Sequence, residues 1–205
     1  MLCLKVPSDP GWAAAALRDL DAVLVDHAHC EMKAASNALS LAARHPVSLT
    51  LVRALTDLAR DEIEHFQRVL GFLEARGLPL GSPVVDTYAA DLRKACGALP
   101  RKDAPPPIVD RLLVSALIEA RSCERFKLLM VALGPLRDPE LYAFYAELFA
   151  AEARHYQVLV DLAIEAAEGD AARVLARLAL LSDSEGEIVR ALALSTCHDR
   201  AAIHG

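Results

Sequence analysis

Two short stretches of the sequence carry the same pair of potential metal ligands. Glu62 and His65 lie in "DEIEHF", and Glu152 and His155 lie in "AEARHY". Residues three apart project from the same face of a helix, so each pair can point at a common centre. The Glu-x-x-His spacing occurs nowhere else in the chain.

Each pair interrupts an otherwise apolar helix face. The neighbours on these two faces, first copy and then second, are Leu55, Leu58, Val69 and Phe72, and Tyr145, Leu148, Leu159 and Leu162. A buried carboxylate is costly unless it is paired or bound to a metal. A single Glu-x-x-His is usually a solvated surface pair, whereas two copies on matching apolar faces indicate a buried metal site.

The elements that must position these residues are predicted to be helices. Hydrophobic residues make up 54% of the chain and aromatic residues only 5%, with Ala and Leu abundant, which predicts an all-α fold. Asp9-Pro10 and Asp138-Pro139 are typical helix starts, and Gly77 is a typical residue after a helix end. The predicted core helices span about 10–44, 47–76, 108–133 and 139–168.

The connections between these helices favour one architecture. Tight turns join the first helix to the second and the third to the fourth, while a Pro-rich crossover of about 77–107 separates the two hairpins. Short, long, short is the connectivity of a ferritin-like four-helix bundle. We expect one ferritin-like domain over residues 1–205. A short helix is predicted in the crossover from Pro83 to about Cys96, and one or two shorter C-terminal helices at about 170–181 and 184–198.

A carboxylate-bridged pair of metal ions needs one more Glu from each of the other two helices. The first helix supplies Glu31, and the third offers Glu119 and Glu124, which periodicity does not separate. Four carboxylates and two neutral imidazoles balance two ferrous ions, and these ligands suit iron, with manganese as the alternative. Such a site permits dioxygen chemistry. His27 and His29 are interpreted as packing or ligand-supporting residues.

Charge and cysteine content exclude several classes of protein. The net charge of −6 argues against non-specific nucleic-acid binding but allows a local basic patch. The five Cys are scattered, without a CxxC motif, so free thiols in a reducing compartment are expected. The chain has neither an apolar run long enough to span a bilayer nor a secretory leader in "MLCLKVPSDPGW". We therefore expect a cytoplasmic protein without a membrane partner.

The matching stretches "DHAHCEMKAAS", "LARDEIEHFQRVL", "RGLPL", "ALIEARSCERF" and "EARHYQ" lie in or beside all four long helices. Through them the sequence resembles the tRNA-(2-methylthio-N6-isopentenyladenosine) hydroxylase family (MiaE-like), whose members are ferritin-like di-iron monooxygenases. The resemblance implies a cytoplasmic enzyme that uses dioxygen to hydroxylate the isopentenyl group of the modified adenosine next to the anticodon. It further implies two iron ions, a tRNA substrate and an external electron donor.

By position, the resemblance makes Glu31, Glu62, His65, Glu152 and His155 metal ligands. On the third helix, ferritin-like hydroxylases in general have the ligand near the helix start, which favours Glu119. The similarity of "SCE", which ends at Glu124, to "HCE", which ends at Glu31, favours Glu124 instead. We assign Glu119 and keep Glu124 as the alternative.

Four basic residues of the crossover are predicted to contact tRNA phosphates: Arg93, Lys94, Arg101 and Lys102. The alternative function is another ferritin-like di-iron or di-manganese enzyme, such as a rubrerythrin-type peroxidase, a catalase or an iron oxidase. The third hypothesis is a helical module that binds metal but has no enzymatic activity.

Overall fold

The computed structural model describes residues 2–83 and 87–195, and within them the chain forms helices and no strand. The all-α prediction is confirmed. In chain order the helices are α1 (Trp12–Arg18), α2 (Leu20–Arg44), α3 (Leu49–Ala75), α4 (Tyr88–Ala98), α5 (Pro107–Arg137), α6 (Pro139–Ala166) and α7 (Ala171–Ser195).

The described residues divide into two compact units. The smaller unit comprises residues 18–83 and contains the hairpin of α2 and α3. The larger unit comprises residues 2–17 and 87–195, in which α5 packs along α6, and α4 packs against α7 and α5. The single ferritin-like domain over 1–205 stays a prediction.

In the smaller unit, a side chain caps the N-terminus of each of the two hairpin helices. Asp19 accepts a hydrogen bond from Ala22 N, and Ser48 accepts one from Leu51 N. At the end of α3, Gly77 has φ 66°, and the chain reverses there through Leu78 N–H donating to Leu73 O and Gly77 N–H donating to Glu74 O. This is the left-handed glycine cap predicted at that position.

Two helices of the larger unit begin as predicted. Pro107 stands in the first turn of α5, and Asp138 caps α6 by accepting a hydrogen bond from Leu141 N, with Pro139 in the first turn. The helical geometry of α5 is interrupted at Gly134, which has φ 63° and ψ 156°. The predicted end at 133 therefore marks a kink, after which helical residues continue to Arg137.

The prediction of one undivided first helix is wrong, for a local reason. The first helix is divided at Asp19, whose backbone leaves the helical region so that its carboxylate can cap α2. Of the one or two C-terminal helices expected, the structure has one, α7, in which the hydroxyls of Ser182 and Ser184 donate to the carbonyls of Leu178 and Leu180. Serine that bonds back to its own helix does not end it. Residues 196–198 of the prediction lie outside the described residues.

The predicted crossover helix begins later than expected, at Tyr88 rather than Pro83. Residues 84–86, which the prediction included, lie outside the described residues. No helix among the described residues is both long enough and apolar enough to cross a bilayer.

The N-terminal segment of the larger unit runs against α7. Lys5 Nζ lies 2.5 Å from Asp183 Oδ1, and Val6 lies so close to Gly186 that a Cβ there would be 2.7 Å from the valine Cγ2. Glycine at position 186 therefore allows the close approach of this segment to the helix.

Candidate metal centre

The smaller unit brings together three of the predicted ligands. Glu62 and His65 lie on one face of α3, and Glu31 faces them from α2, all three buried. His65 Nδ1 lies 3.5 Å from Glu31 Oε2 and 3.7 Å from Glu62 Oε2, and one donor atom from each residue lies within 4.8 Å of the other two. We call Glu31, Glu62 and His65 the smaller-unit triad.

The larger unit brings together the other three. Glu119 of α5 lies beside Glu152 and His155 of α6, again all buried, with donor atoms within 4.8 Å of one another. His155 Nδ1 lies 3.6 Å from Glu152 Oε2. We call these residues the larger-unit triad. The two triads have the same composition, two carboxylates and one imidazole.

The residues present fit a metal ion better than they fit an apolar core. Each triad concentrates two buried carboxylates, and in the larger-unit triad Glu152 Oε2 accepts no hydrogen bond from the described residues. Carboxylates in such surroundings need a cation. Oxygen and imidazole donors without thiolate suit iron or manganese and disfavour the sulfur-rich sites of structural zinc.

The two alternatives for the third-helix ligand occupy different surroundings. Glu119 lies with Glu152 and His155, whereas the Glu124 carboxylate accepts hydrogen bonds from Ser8 N at 3.0 Å and Ser8 Oγ at 2.8 Å and pairs with Arg121. Both carboxylate oxygens of Glu124 therefore already accept hydrogen bonds from other residues of the chain. This geometry favours Glu119 over Glu124, and the assignment of Glu119 as a ligand stays a prediction.

The sequence reasoning missed the buried ionic network to which Glu124 belongs. Arg121, fully buried, donates from Nε and Nη2 to Glu185 Oε1 at 2.9 and 2.6 Å, and from Nη2 to Val6 O at 2.9 Å. Tyr88 also donates to Glu185 Oε1, at 2.9 Å. Burial and the Glu185 carboxylate raise the pKa of Tyr88 well above its usual value, so the phenol stays protonated as a donor. No spacing in the sequence indicates this network, because its members come from four separate segments.

Of the two extra histidines of α2, one contacts a member of the smaller-unit triad. His27 Nε2 lies 2.5 Å from Glu31 Oε1, with both side chains buried. His29 is also buried, and neither of its ring nitrogens has a hydrogen-bond partner within the described residues. The contact with Glu31 supports the interpretation of His27 as a ligand-supporting residue. His29, which contacts no proposed ligand through a hydrogen bond within the described residues, is consistent with a packing residue.

The four basic residues predicted to contact tRNA are all exposed. Arg101 Nη1 donates to Asp110 Oδ2 at 2.8 Å. Asp110 also accepts two hydrogen bonds from buried Arg177, at 2.7 and 2.9 Å. One carboxylate thus faces two guanidinium groups, which leaves a net positive charge where Arg101 reaches the surface.

The cysteines described by the structure are free thiols, as predicted. Burial is the main cause that raises the pKa of Cys96 and that of Cys123 to about 11, with the nearby carboxylates of Asp110 and Glu152 acting in the same direction. The thiolate is therefore scarce at neutral pH.

This predicts slow alkylation of the two thiols. At about pH 8, iodoacetamide is expected to alkylate Cys96 and Cys123 roughly 100-fold more slowly in the native chain than in the urea-unfolded chain. The reason is that the thiolate fraction falls tenfold for each unit by which the pKa rises. Peptide mapping after timed iodoacetamide treatment measures both rates, and the reaction should accelerate as the pH rises toward the shifted pKa. Equal rates for native and unfolded chains would contradict the burial of these thiols.

Comparison with known proteins covers nearly the whole chain. The family model described as tRNA-(MS2IO6A)-hydroxylase (MiaE) matches residues 2–200. A "tRNA 2-(methylsulfanyl)-N(6)-isopentenyladenosine(37) hydroxylase" of Pseudomonas putida is 42% identical over 187 residues, 91% of this chain and 86% of that protein. The protein of the same name from Salmonella typhimurium is 27% identical over an alignment of 235 residues, covering 91% of this chain and 83% of its own.

Among solved structures, a Synechococcus protein described as having aldehyde deformylating oxygenase activity superposes with a TM-score of 0.83. It is 33% identical, and the match covers 100% of this chain and 96% of that one. The helical architecture with two Glu-x-x-His segments, the family match and the level of identity lead to one conclusion: the chain is a ferritin-like member of the tRNA-(MS2IO6A)-hydroxylase (MiaE) family.

Proposed function

We propose that this protein is a dioxygen-dependent di-iron monooxygenase that hydroxylates the isopentenyl group of 2-methylthio-N6-isopentenyladenosine next to the anticodon of tRNA. The observation that carries the proposal is a pair of buried Glu-Glu-His triads in a chain 42% identical to a hydroxylase named for this nucleoside. The reaction takes place where tRNA is modified, which we infer to be the cytoplasm.

The proposed ligands are Glu31, Glu62 and His65 together with Glu119, Glu152 and His155. In each triad, two carboxylates and a neutral imidazole offset the two positive charges of one ferrous ion, so burial of the loaded triad leaves no net charge. Two bound ferrous ions would supply the redox chemistry that activates dioxygen. The same donors accept manganese, which makes metal identity a quantity to measure.

The roles of the chain itself are binding, orientation and exclusion of water. The buried apolar faces around both triads, with Leu55 and Leu58 in one unit and Tyr145 and Leu148 in the other, keep the ligands out of solvent. In the overall reaction one C–H bond of the prenyl group and one molecule of dioxygen become an alcohol and water. Two electrons from an external donor and two protons complete the balance.

Cell-based nucleoside analysis tests the substrate. The chain would be expressed in bacteria that make the methylthio-isopentenyl nucleoside but lack a hydroxylase, and digested tRNA would be analysed by mass spectrometry. We expect a nucleoside heavier by one oxygen atom, and a double variant with Glu62→Ala and Glu152→Ala should not produce it. An unchanged nucleoside profile with abundant soluble, metal-loaded protein would contradict the proposed substrate.

The alternative enzymes remain testable with the same purified protein. A rubrerythrin-type peroxidase or a catalase would consume hydrogen peroxide, and an iron oxidase would oxidise excess ferrous ion without tRNA. An aldehyde is a further control substrate, because the Synechococcus neighbour is named for aldehyde deformylating oxygenase activity. Rapid turnover of any of these, with none of tRNA, would redirect the function and leave the metal site in place.

We further propose that Arg93, Lys94, Arg101 and Lys102 contact tRNA phosphates. All four are exposed, and the charge of Arg101 is not cancelled, since Asp110 is already paired with Arg177. A chain of net charge −6 needs such a local concentration of cations to approach a polyanion.

Replacing these four residues with Gln is expected to weaken tRNA binding and flatten its dependence on salt. If each contacts one phosphate, the slope of log Kd against log salt should decrease by about 3, because each contact contributes about 0.7–0.9. Titrations at several salt concentrations measure both quantities. A matched variant replaces four exposed cations of the smaller unit, Lys33, Arg44, Arg53 and Arg60. Equal effects of the two variants would show that only net charge matters.

A further inference from the structure

His27 touches a proposed ligand yet is not one of the six. Its Nε2 lies 2.5 Å from Glu31 Oε1, one helical turn away on α2, and its side chain has no exposed surface. The other oxygen of the same carboxylate, Oε2, lies 3.5 Å from Nδ1 of the proposed ligand His65. The two oxygens of Glu31 therefore face different neighbours.

The chemistry of the pair determines which group donates. A carboxylate that binds a metal ion is ionised and can only accept hydrogen bonds, so the hydrogen must lie on His27 Nε2. A neutral imidazole with hydrogen on Nε2 carries a lone pair on Nδ1.

We propose that His27 is a positioning residue for the metal centre: its Nε2–H holds Glu31 Oε1 and leaves Oε2 as the oxygen offered to the metal beside His65. This inference rests on the proposed function, because it assumes that Glu31 is a ligand. Outer hydrogen bonds of this kind orient ligands and adjust their donor strength.

In the larger unit, the position equivalent to His27 is not a histidine. The residue one turn before Glu119 is Ser115 on α5, where α2 has His27 before Glu31. The two triads are alike in their ligands but differ in what supports them. The loss of His27 should therefore affect one metal equivalent more than the other.

The chain offers a matched control on the same helix. His29 is buried like His27, but within the described residues it has no hydrogen bond to a proposed ligand. The test compares His27→Leu, which removes the donor, His27→Gln, whose amide can donate, and His29→Leu. Anaerobic equilibrium dialysis with ferrous ion measures affinity, and visible absorption of the Co(II)-loaded chain reports ligand geometry.

We expect His27→Leu to bind one of two metal equivalents about 10–100-fold more weakly and to change the Co(II) spectrum. His27→Gln should regain most of the affinity, and His29→Leu should match the wild type. Two equivalents bound by His27→Leu with unchanged affinity and spectrum would overturn the proposal. So would a His27→Gln variant as weak as His27→Leu, because packing and not the hydrogen bond would then explain the loss.

A measurement on the unsubstituted chain covers the case in which His27→Leu does not fold. In the Zn(II)-loaded protein labelled with nitrogen-15, NMR should place the imidazole hydrogen of His27 on Nε2. A hydrogen on Nδ1 alone would overturn the inference. Failure of the wild-type chain to bind any metal would overturn the proposed function as well. Normal metal binding by the wild type, with no change of affinity or spectrum in His27→Leu, would refute only the role of His27.

Discussion

Glu119→Ala is expected to reduce iron binding and hydroxylation by more than about 100-fold, since loss of a supporting partner alone costs about 10–100-fold and loss of a ligand costs more. The apo chain should stay folded, because Glu119 shares its buried site with the Glu152 carboxylate. Removing one of two neighbouring carboxylates relieves repulsion between like charges when no metal is bound. The loss should therefore appear in metal content before it appears in stability.

Glu124→Gln is the matched variant and should behave in the opposite way. It should bind iron like the wild type while unfolding more easily by about 1.5–3 kcal/mol, the usual value of hydrogen bonds to a charged group. The reason is that the Glu124 carboxylate accepts from Ser8 and pairs with Arg121. Iron quantification and urea unfolding of both variants decide the question. Iron retained by Glu119→Ala but lost from Glu124→Gln would reverse the assignment.

Arg121→Met is expected to destabilise the chain by about 3–5 kcal/mol, the usual cost of removing one partner from a buried ion pair. Arg121 has no exposed surface, and it faces the carboxylates of Glu124 and Glu185 as well as Val6 O. These two carboxylates raise the pKa of its guanidinium against the opposing effect of burial. Without the guanidinium, both buried carboxylates lose the cation that they share.

Thermal and urea unfolding measure this effect. A loss of this size corresponds to a fall of the thermal midpoint by roughly 6–20 °C for a chain of this length. Arg60→Met is the control, because Arg60 pairs with Asp57 on an exposed surface and such pairs contribute about 0–1 kcal/mol. Adding Glu185→Gln to Arg121→Met should restore part of the stability. Equal effects of Arg121→Met and Arg60→Met would show that the buried network contributes little.

Much of the fold could be predicted because its signals are local. Asp138-Pro139 and Gly77 mark helix ends by their own backbone chemistry, and the structure confirms both. The Glu-x-x-His pairs are equally local, since both members lie on one face of one helix. The all-α class and the order of the long helices follow from such signals and from the spacing of the turns.

What could not be predicted depends on residues distant in sequence. Glu119 and Glu124 stand on the same helix with similar neighbours, and they differ because Ser8 contacts one of them from the N-terminal segment. The break at Asp19 reflects a competition between helix continuation and capping that composition does not decide. The sequence did not decide between one and two C-terminal helices, because Ser182 is polar and typical of turns, yet its hydroxyl bonds within α7.

We propose that the two triads hold iron for the hydroxylation of a tRNA nucleoside. In a single-turnover experiment, the purified chain is loaded with iron and reduced. It is then exposed to heavy-isotope dioxygen together with tRNA that carries the methylthio-isopentenyl base. We predict about two irons per chain, as six carboxylate and imidazole donors imply, and one heavy oxygen atom in the prenyl group of the recovered nucleoside. A fully iron-loaded chain that consumes dioxygen but leaves the nucleoside unlabelled would contradict the account.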